Sequence, residues 1–211
     1  MDVYGRDGSG IGVLGCMYHA YIHTLPAEQR EPIMSMTKKI CESILVDEVK
    51  DNSYIDFCTF LCRMGMHEEA LKYLTIEKEK ENDLSSRHTY GLQELETVDE
   101  RLQKEITYSS EKRIAMVSSI YSRYLMAQCY IKLEKPKEEI QQLLNEMAQL
   151  VNEINDDPVK KALHLNMVGY IYQEQQMYNE ALQAFQQVLE YSPDNAAAEE
   201  SQSMCQALLL S

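Results

Sequence analysis

The fold is decided by residues 165–193, which read LNMVGYIYQEQQMYNEALQAFQQVLEYSP. Gly169 and Ala181 are small residues twelve positions apart, as expected where the two helices of one hairpin cross and their backbones approach closely. Phe185 would fill the space beside this crossing. Pro193 would end the second helix, because proline cannot donate a backbone hydrogen bond inside a helix. The stretch therefore predicts a helical hairpin that packs through Gly169 and Ala181.

Apolar residues recur with the 3.6-residue period of a helix along the rest of the chain, and no run shows the alternation of a strand. Glycine and proline are sparse, with 8 and 5 copies, which also favours helices. We therefore expect an all-α fold, helical throughout, with about nine or ten helices. The predicted helices lie near residues 12–24, 30–47, 52–64, 67–81, 91–107, 110–133, 137–154, 159–174, 178–191 and from 195 to the end.

Two further segments repeat the spacing of small residues less clearly. Cys58 and Ala70 hold the two crossing positions in one segment. Gln128 and Ile140 hold them in the other, and both are large for a close crossing. The predicted organisation has a flexible tail at 1–11, a helical domain over 12–211, repeat units at 51–84, 121–154 and 162–195, a polar link at 82–90 and a capping helix at 196–211.

The clearest unit resembles the tetratricopeptide repeat, a family of helix–turn–helix units of about 34 residues. The positions that carry the resemblance are Leu165, Val168, Gly169, Tyr172, Ala181, Phe185, Val188 and Pro193, with Leu165 in place of the usual tryptophan. The resemblance implies a right-handed superhelical solenoid of helical hairpins, whose first helices line a concave protein-binding groove. Some members grip the C-terminal carboxylate of chaperones with Lys, Arg and Asn residues. Only Asn166 fits that pattern here, so the resemblance does not extend to that activity.

Helix geometry predicts which residues face the groove. Asn166 and Tyr170 are four positions apart and share one face, whereas Val168 and Tyr172 turn towards the core. We expect Tyr170, Asn166 and Leu125 to be the central contacts of an extended peptide or a helix. The full predicted contact set is Asn52, Ile55, Thr59, Cys62, Arg63, Leu125, Cys129, Lys132, Asn166, Tyr170, Gln173 and Glu174.

The formal net charge of −14 excludes several classes of partner. A nucleic-acid backbone rewards clustered Lys and Arg, and anionic lipid headgroups repel an acidic surface. No apolar run reaches the roughly 18 residues of a membrane span, so we expect no membrane insertion. The acidic surface itself has two interpretations, a solubilising face or a docking face for a basic partner.

The six cysteines lie scattered through helical patterns, without the closely spaced framework of a disulfide-rich domain. We interpret them as reduced thiols that pack as small hydrophobic groups in a cytoplasmic protein. Cys58 and Cys62, one helical turn apart with His67 beyond, are explained in the same way. Packing within a repeat accounts for both thiols, so we expect no metal there.

A separate group of potential ligands lies near the start of the chain. Cys16, His19 and His23 would share one helix face, and zinc accepts such ligands. No glutamate lies between the histidines as in the metalloprotease motif. Residues 10–15 match the glycine spacing of a dinucleotide-binding loop, but no strand pattern precedes them. We therefore expect no catalytic residue, cofactor or metal.

The predicted function is a non-catalytic adaptor, or a subunit of a larger assembly, that binds another protein in its groove. One alternative is a metal-dependent enzyme or regulator that uses the Cys16, His19 and His23 face. Another is a homo-oligomer held through the apolar end of the last helix, residues 207–210.

Overall fold

The computed structural model describes residues 25–47, 53–80, 84, 87–91, 99–109, 111–154 and 157–210. The predicted tail at 1–11, the predicted helix near 12–24, the Cys16, His19 and His23 face and the predicted contact Asn52 all lie outside the described residues.

Helices make up most of the described chain, which confirms the predicted all-α helical-repeat fold. In chain order the elements are α1 (Ala27–Asp47), α2 (Ser53–Arg63), α3 (His67–Lys80), β1 (Arg87–Gly91), α4 (Glu100–Tyr108), β2 (Arg113–Val117), α5 (Ser118–Lys132), α6 (Lys137–Glu153), α7 (Pro158–Glu174), α8 (Tyr178–Tyr191) and α9 (Ala196–Leu210). The pairs α2–α3, α5–α6 and α7–α8 form three helical hairpins. Within the described ranges, no helix is both long enough and apolar enough to cross a membrane.

The three hairpins make the same turn between their helices. In each, a residue with left-handed φ follows the first helix, namely Gly65 (73°), Glu134 (52°) or Gln176 (60°). The next amide donates to the carbonyl five residues earlier at 2.9 Å, from Met66 to Leu61, from Lys135 to Tyr130 and from Met177 to Tyr172. This is the hydrogen bond of a Schellman motif, which satisfies a carbonyl at the end of a helix.

The shared turn corrects the predicted register of the middle hairpin by one residue. The position seven residues before the left-handed residue is Cys58, Ala127 or Gly169. The small crossing residue of α5 is therefore Ala127, which is fully buried, rather than Gln128. The middle turn is one residue longer than the other two and contains Pro136. Because the prediction assumed turns of equal length, it placed the crossing residue of α5 one position too late.

The hairpin α7–α8 has the close packing that its sequence predicts. A Cβ atom on Gly169 would lie 2.5 Å from Cε1 of Phe185, so a larger residue would displace this buried ring. The three atoms nearest to that position all belong to Phe185, which makes the ring the closest neighbour of Gly169. Ala181, the other predicted crossing residue, is fully buried on α8.

An antiparallel strand pair separates the first hairpin from the second. In it, β1 pairs with β2 in the register Arg87↔Val117 to Gly91↔Arg113. The strands were not predicted: residues 87–90 of the expected polar link and Gly91 form β1, residues 113–117 form β2, and the predicted helix over 110–133 begins at Ser118. Ile114 and Met116 are buried on one side of β2, because every second side chain of a strand faces the same side, and Val117 is also buried where the strand meets α5.

The helix predicted over 91–107 is shorter than expected at its start. Gly91 belongs to β1, residues 92–98 are not described, and α4 begins at Glu100. Asp99 caps the helix, because its side chain accepts a hydrogen bond from the Arg101 amide at 2.9 Å.

Candidate functional site

Residues of α2 and α5 and the last residue of α7 line one cleft, and α4 is bonded to the neighbouring surface of α7, the helix that follows in the groove. Leu102 and Ile106 of α4 are fully buried. Between them lies Glu105, whose Oε1 accepts hydrogen bonds from the Tyr170 hydroxyl at 2.9 Å and from Nδ2 of Asn166. The helix α4, which lies between the first and second hairpins in the sequence, therefore covers the groove-facing surface of α7 in the third hairpin.

This cover corrects the prediction of two central contacts. Asn166 is fully buried and Tyr170 is 1% exposed, so neither side chain offers a free surface to a partner. Both residues contact Glu105 of α4, so they share one face of α7. Burial raises the pKa of Glu105 to about 7, although hydrogen bonds from its neighbours favour the charged form.

Arg101 attaches the start of α4 to the end of α7. Its Nη2 donates to Glu174 at 3.0 Å, and its Nη1 donates to the Tyr170 carbonyl at 3.1 Å. The guanidinium also lies 5.6 Å from the centre of the Tyr170 ring, within the range of a cation–π contact. Asp99 pairs with Arg101 at 2.9 Å and accepts from Gln128 at 2.7 Å. Although burial opposes ionisation, these contacts hold the pKa of Asp99 below its usual value.

The groove stays open between α2 and α5. A cleft of about 300 Å³ lies there, closed at one side by the first residues of α4 and the last residue of α7. Six predicted groove residues line it: Thr59, Cys62, Arg63, Leu125, Lys132 and Glu174. Its lining also includes Gly65, His67, Asp99, Arg101, Tyr121 and Gln128. We call this space the α2–α5 cleft.

Several predicted contacts are buried or already bonded within the protein. Ile55 and Cys129 are fully buried in the core, so the prediction that a partner contacts their side chains is wrong. Thr59 lines the cleft, but its hydroxyl already donates to the Ile55 carbonyl at 2.8 Å. Gln173 packs towards α9, with its Nε2 3.1 Å from the sulfur of Met204.

Among the described residues of the α2–α5 cleft, Lys132 and Arg101 are paired with carboxylates, whereas one nitrogen of Arg63 lacks a hydrogen-bond partner. Lys132 Nζ lies 3.1 Å from Glu174, and Arg101 is paired as described above. Nε of Arg63 is buried and has no hydrogen-bond partner within the described part of the chain. An unsatisfied buried donor costs about 1–3 kcal/mol, so Arg63 favours an acceptor supplied from outside.

Two thiols and an imidazole meet at one wall of the cleft. Sγ of Cys62 lies 3.3 Å from Sγ of Cys129, and a ring nitrogen of His67 lies within 4.8 Å of both sulfurs. The hydrogen bond to Cys129, together with burial, raises the pKa of the Cys62 thiol. Burial, followed by the charge of Lys132, lowers the pKa of His67. We call these three residues the thiol–imidazole cluster.

Several residues of the site were not predicted from the sequence, and only some of them belong to a recognisable local pattern. Asp99, two residues before Arg101 and directly before a helix, is a recognisable capping residue. Gln128 was assigned to the crossing through the error of one residue. Cys129 lies close to His67 and Cys62 because separate hairpins pack against each other, so no local sequence pattern predicts this contact.

Comparison with known proteins supports the helical-repeat interpretation. The family model of the tetratricopeptide repeat matches residues 165–195, which confirms the resemblance over that stretch. No curated protein and no solved structure matches the chain.

Proposed function

We propose that this chain, with its tetratricopeptide repeat at 165–195, is a non-catalytic adaptor or complex subunit that binds a protein segment in the α2–α5 cleft. Such repeats generally serve in protein–protein interaction, which supports the coarser part of the proposal. A cytoplasmic location remains a prediction from the scattered cysteines.

The observation that carries the proposal is the buried, unpartnered Nε of Arg63 in an open cleft. A carboxylate or carbonyl oxygen of a bound segment would satisfy this donor. Leu125 lines the same cleft, and although its side chain is only 3% exposed, it makes that part of the lining apolar. The bound segment would thus combine a hydrogen-bond acceptor with a neighbouring apolar side chain.

The position of α4 supports the same mode of binding. Glu105 of α4 presents an acceptor to Asn166 and Tyr170 of α7, and its neighbours Leu102 and Ile106 are fully buried. An amphipathic segment laid along the first helices is therefore an arrangement that this groove already accommodates. We propose that a partner segment lies beside α4, over α2 and α5.

The proposal is tested by site-specific photocrosslinking in cell extract. A photoreactive phenylalanine analogue at Lys132, which is exposed at the cleft, should give a defined adduct. The same group at Gln186, exposed on α8 and away from the cleft, should not give that adduct. Once the captured protein is identified, Arg63→Ala should weaken its binding by about 1–3 kcal/mol, whereas the matched change Arg113→Ala should leave it unchanged.

Two results would contradict the proposal. One is an adduct that forms at Gln186 and not at Lys132. The other is an affinity that survives Arg63→Ala in a variant whose helical circular dichroism is intact.

A second candidate function is self-association through α9. Leu208, Leu209 and Leu210 are exposed by 42%, 45% and 89%, and they follow one another at the end of α9. Exposed apolar side chains that cluster in this way favour an interface. Analytical ultracentrifugation of the parent and of Leu209→Glu checks it, since an oligomer held by α9 should become a monomer in the variant.

A further inference from the structure

We propose that Cys62, His67 and Cys129 bind a zinc ion, with its fourth coordination position open to the α2–α5 cleft. The proposal is independent of what the cleft binds. It goes beyond the expectation from the sequence, which considered Cys62 and His67 without Cys129.

The three ligands converge from separate elements. Cys62 lies near the end of α2, His67 begins α3, and Cys129 lies on α5 of the next hairpin. One ligand atom from each lies within 4.8 Å of the other two. Among the described residues, this is the group of cysteine, histidine and acidic side chains close enough to hold a metal.

The distances fit a tetrahedral zinc ion with small adjustments. Zinc–sulfur bonds of about 2.3 Å at a tetrahedral angle place two sulfur atoms about 3.8 Å apart. The two Sγ atoms are 3.3 Å apart, so they would separate by about 0.5 Å. A disulfide needs about 2.05 Å, a larger movement that also needs an oxidant. Metal binding is thus the smaller change for this pair.

The kinds of ligand select a thiophilic cation. Two thiolates and one imidazole suit zinc, whereas magnesium and calcium prefer oxygen ligands. His67 Nδ1 is buried and has no hydrogen-bond partner in the described part of the chain. One of the ring nitrogens therefore lacks the partner that a buried polar atom normally has, and a bound metal ion is one group that would supply it.

The position of the cluster determines what the ion could do. Cys62 and His67 both line the α2–α5 cleft, so the fourth position would hold water or a side chain of a bound segment. The ion would also join the first hairpin to the second, because its ligands come from both. Zinc would therefore stabilise the fold as well as form part of the cleft wall.

The test is a titration of the full-length reduced protein with cobalt and zinc. Cobalt should produce thiolate charge-transfer absorption, and competition with zinc then gives the zinc affinity. Cys62→Ser, Cys129→Ser and His67→Gln should each weaken zinc binding by about tenfold or more. Cys205→Ser, which removes a buried thiol on α9, should leave the affinity unchanged. Zinc should raise the melting temperature of the parent and of Cys205→Ser but not of Cys129→Ser.

Three outcomes would overturn the proposal. The reduced parent protein could show no thiolate absorption with cobalt. The absorption could persist in His67→Gln and Cys62→Ser with undiminished affinity. It could instead disappear only on replacement of Cys16, which would place the metal on the face containing His19 and His23. His67→Gln keeps both thiols and lies at the partly exposed start of α3, so it remains informative if a cysteine variant fails to fold.

Discussion

The groove surface of α7 and that of α2 and α5 belong to the same concavity, but only the second is open. Over α7, Glu105 and Arg101 of α4 hold Tyr170 and its neighbours in the interior. Between α2 and α5 there is instead a cleft of about 300 Å³. The repeat thus determines which residues face the groove, whereas the insertion between repeats determines which of them a partner can reach.

The largest expected effect comes from truncating a buried apolar side chain of α4. Leu102→Ala should lower the free energy of unfolding by about 2–5 kcal/mol, because Leu102 is fully buried and leaves a cavity. Urea denaturation measures the change, and Ile76→Ala, at a 43% exposed position, is the control. A loss below about 1 kcal/mol would show that α4 does not pack on the groove as described.

A smaller effect is expected from pH acting on Glu105. Its pKa in the fold is about 7, above the ordinary 4.5, so the fold favours the protonated form. The stability contributed by this carboxyl is complete below pH 4.5 and is lost as the pH rises through 7, by up to about 3 kcal/mol. Glu105→Gln, which cannot ionise, should become progressively more stable than the parent protein between pH 5 and 8.

Urea denaturation across this pH range checks the prediction. The exposed Glu100 of the same helix is the control, and Glu100→Gln should not change the pH dependence. A constant difference between Glu105→Gln and the parent would contradict the raised pKa.

The smallest effect is expected at the open part of the groove. Lys132 pairs with Glu174 at 3.1 Å, but its side chain is 56% exposed. Lys132→Ala should therefore lower stability by less than about 1 kcal/mol, and less still at high salt. Thermal unfolding at two salt concentrations measures this change. A loss comparable with that of Leu102→Ala would mean that the cleft is structurally as important as the covered surface.

The parts of the fold that could be predicted are those specified by neighbouring residues. Gly169, Phe185 and the left-handed turn at Gln176 lie within one short stretch, and the hairpin predicted there was found. The strand over 113–117 was taken for helix, because five residues carry little periodic information. Its pairing with β1 lies outside any local window.

The site could be predicted only in part, for a related reason. The α2–α5 cleft is lined by Arg63, Lys132 and Glu174, which helix phase assigned to the groove. Exposure could not be deduced in this way, since Tyr170 is buried by a helix whose Glu105 lies 65 residues earlier in the chain. The thiol–imidazole cluster likewise required the α2 and α5 helices to be placed side by side before Cys62 and Cys129 could meet.

The route of α4 across the groove also bears on how the chain unfolds. In an ordinary solenoid each repeat contacts only its neighbours, so stability spreads along the array and the ends can open independently. Here Arg101 bonds Glu174, 73 residues away, and Lys104 bonds Glu200, 96 residues away. These contacts couple a segment next to the first repeat to the last repeat and to α9. The array should therefore unfold cooperatively, and it should fold more slowly than a solenoid of local contacts, because long loops must close before α4 can dock.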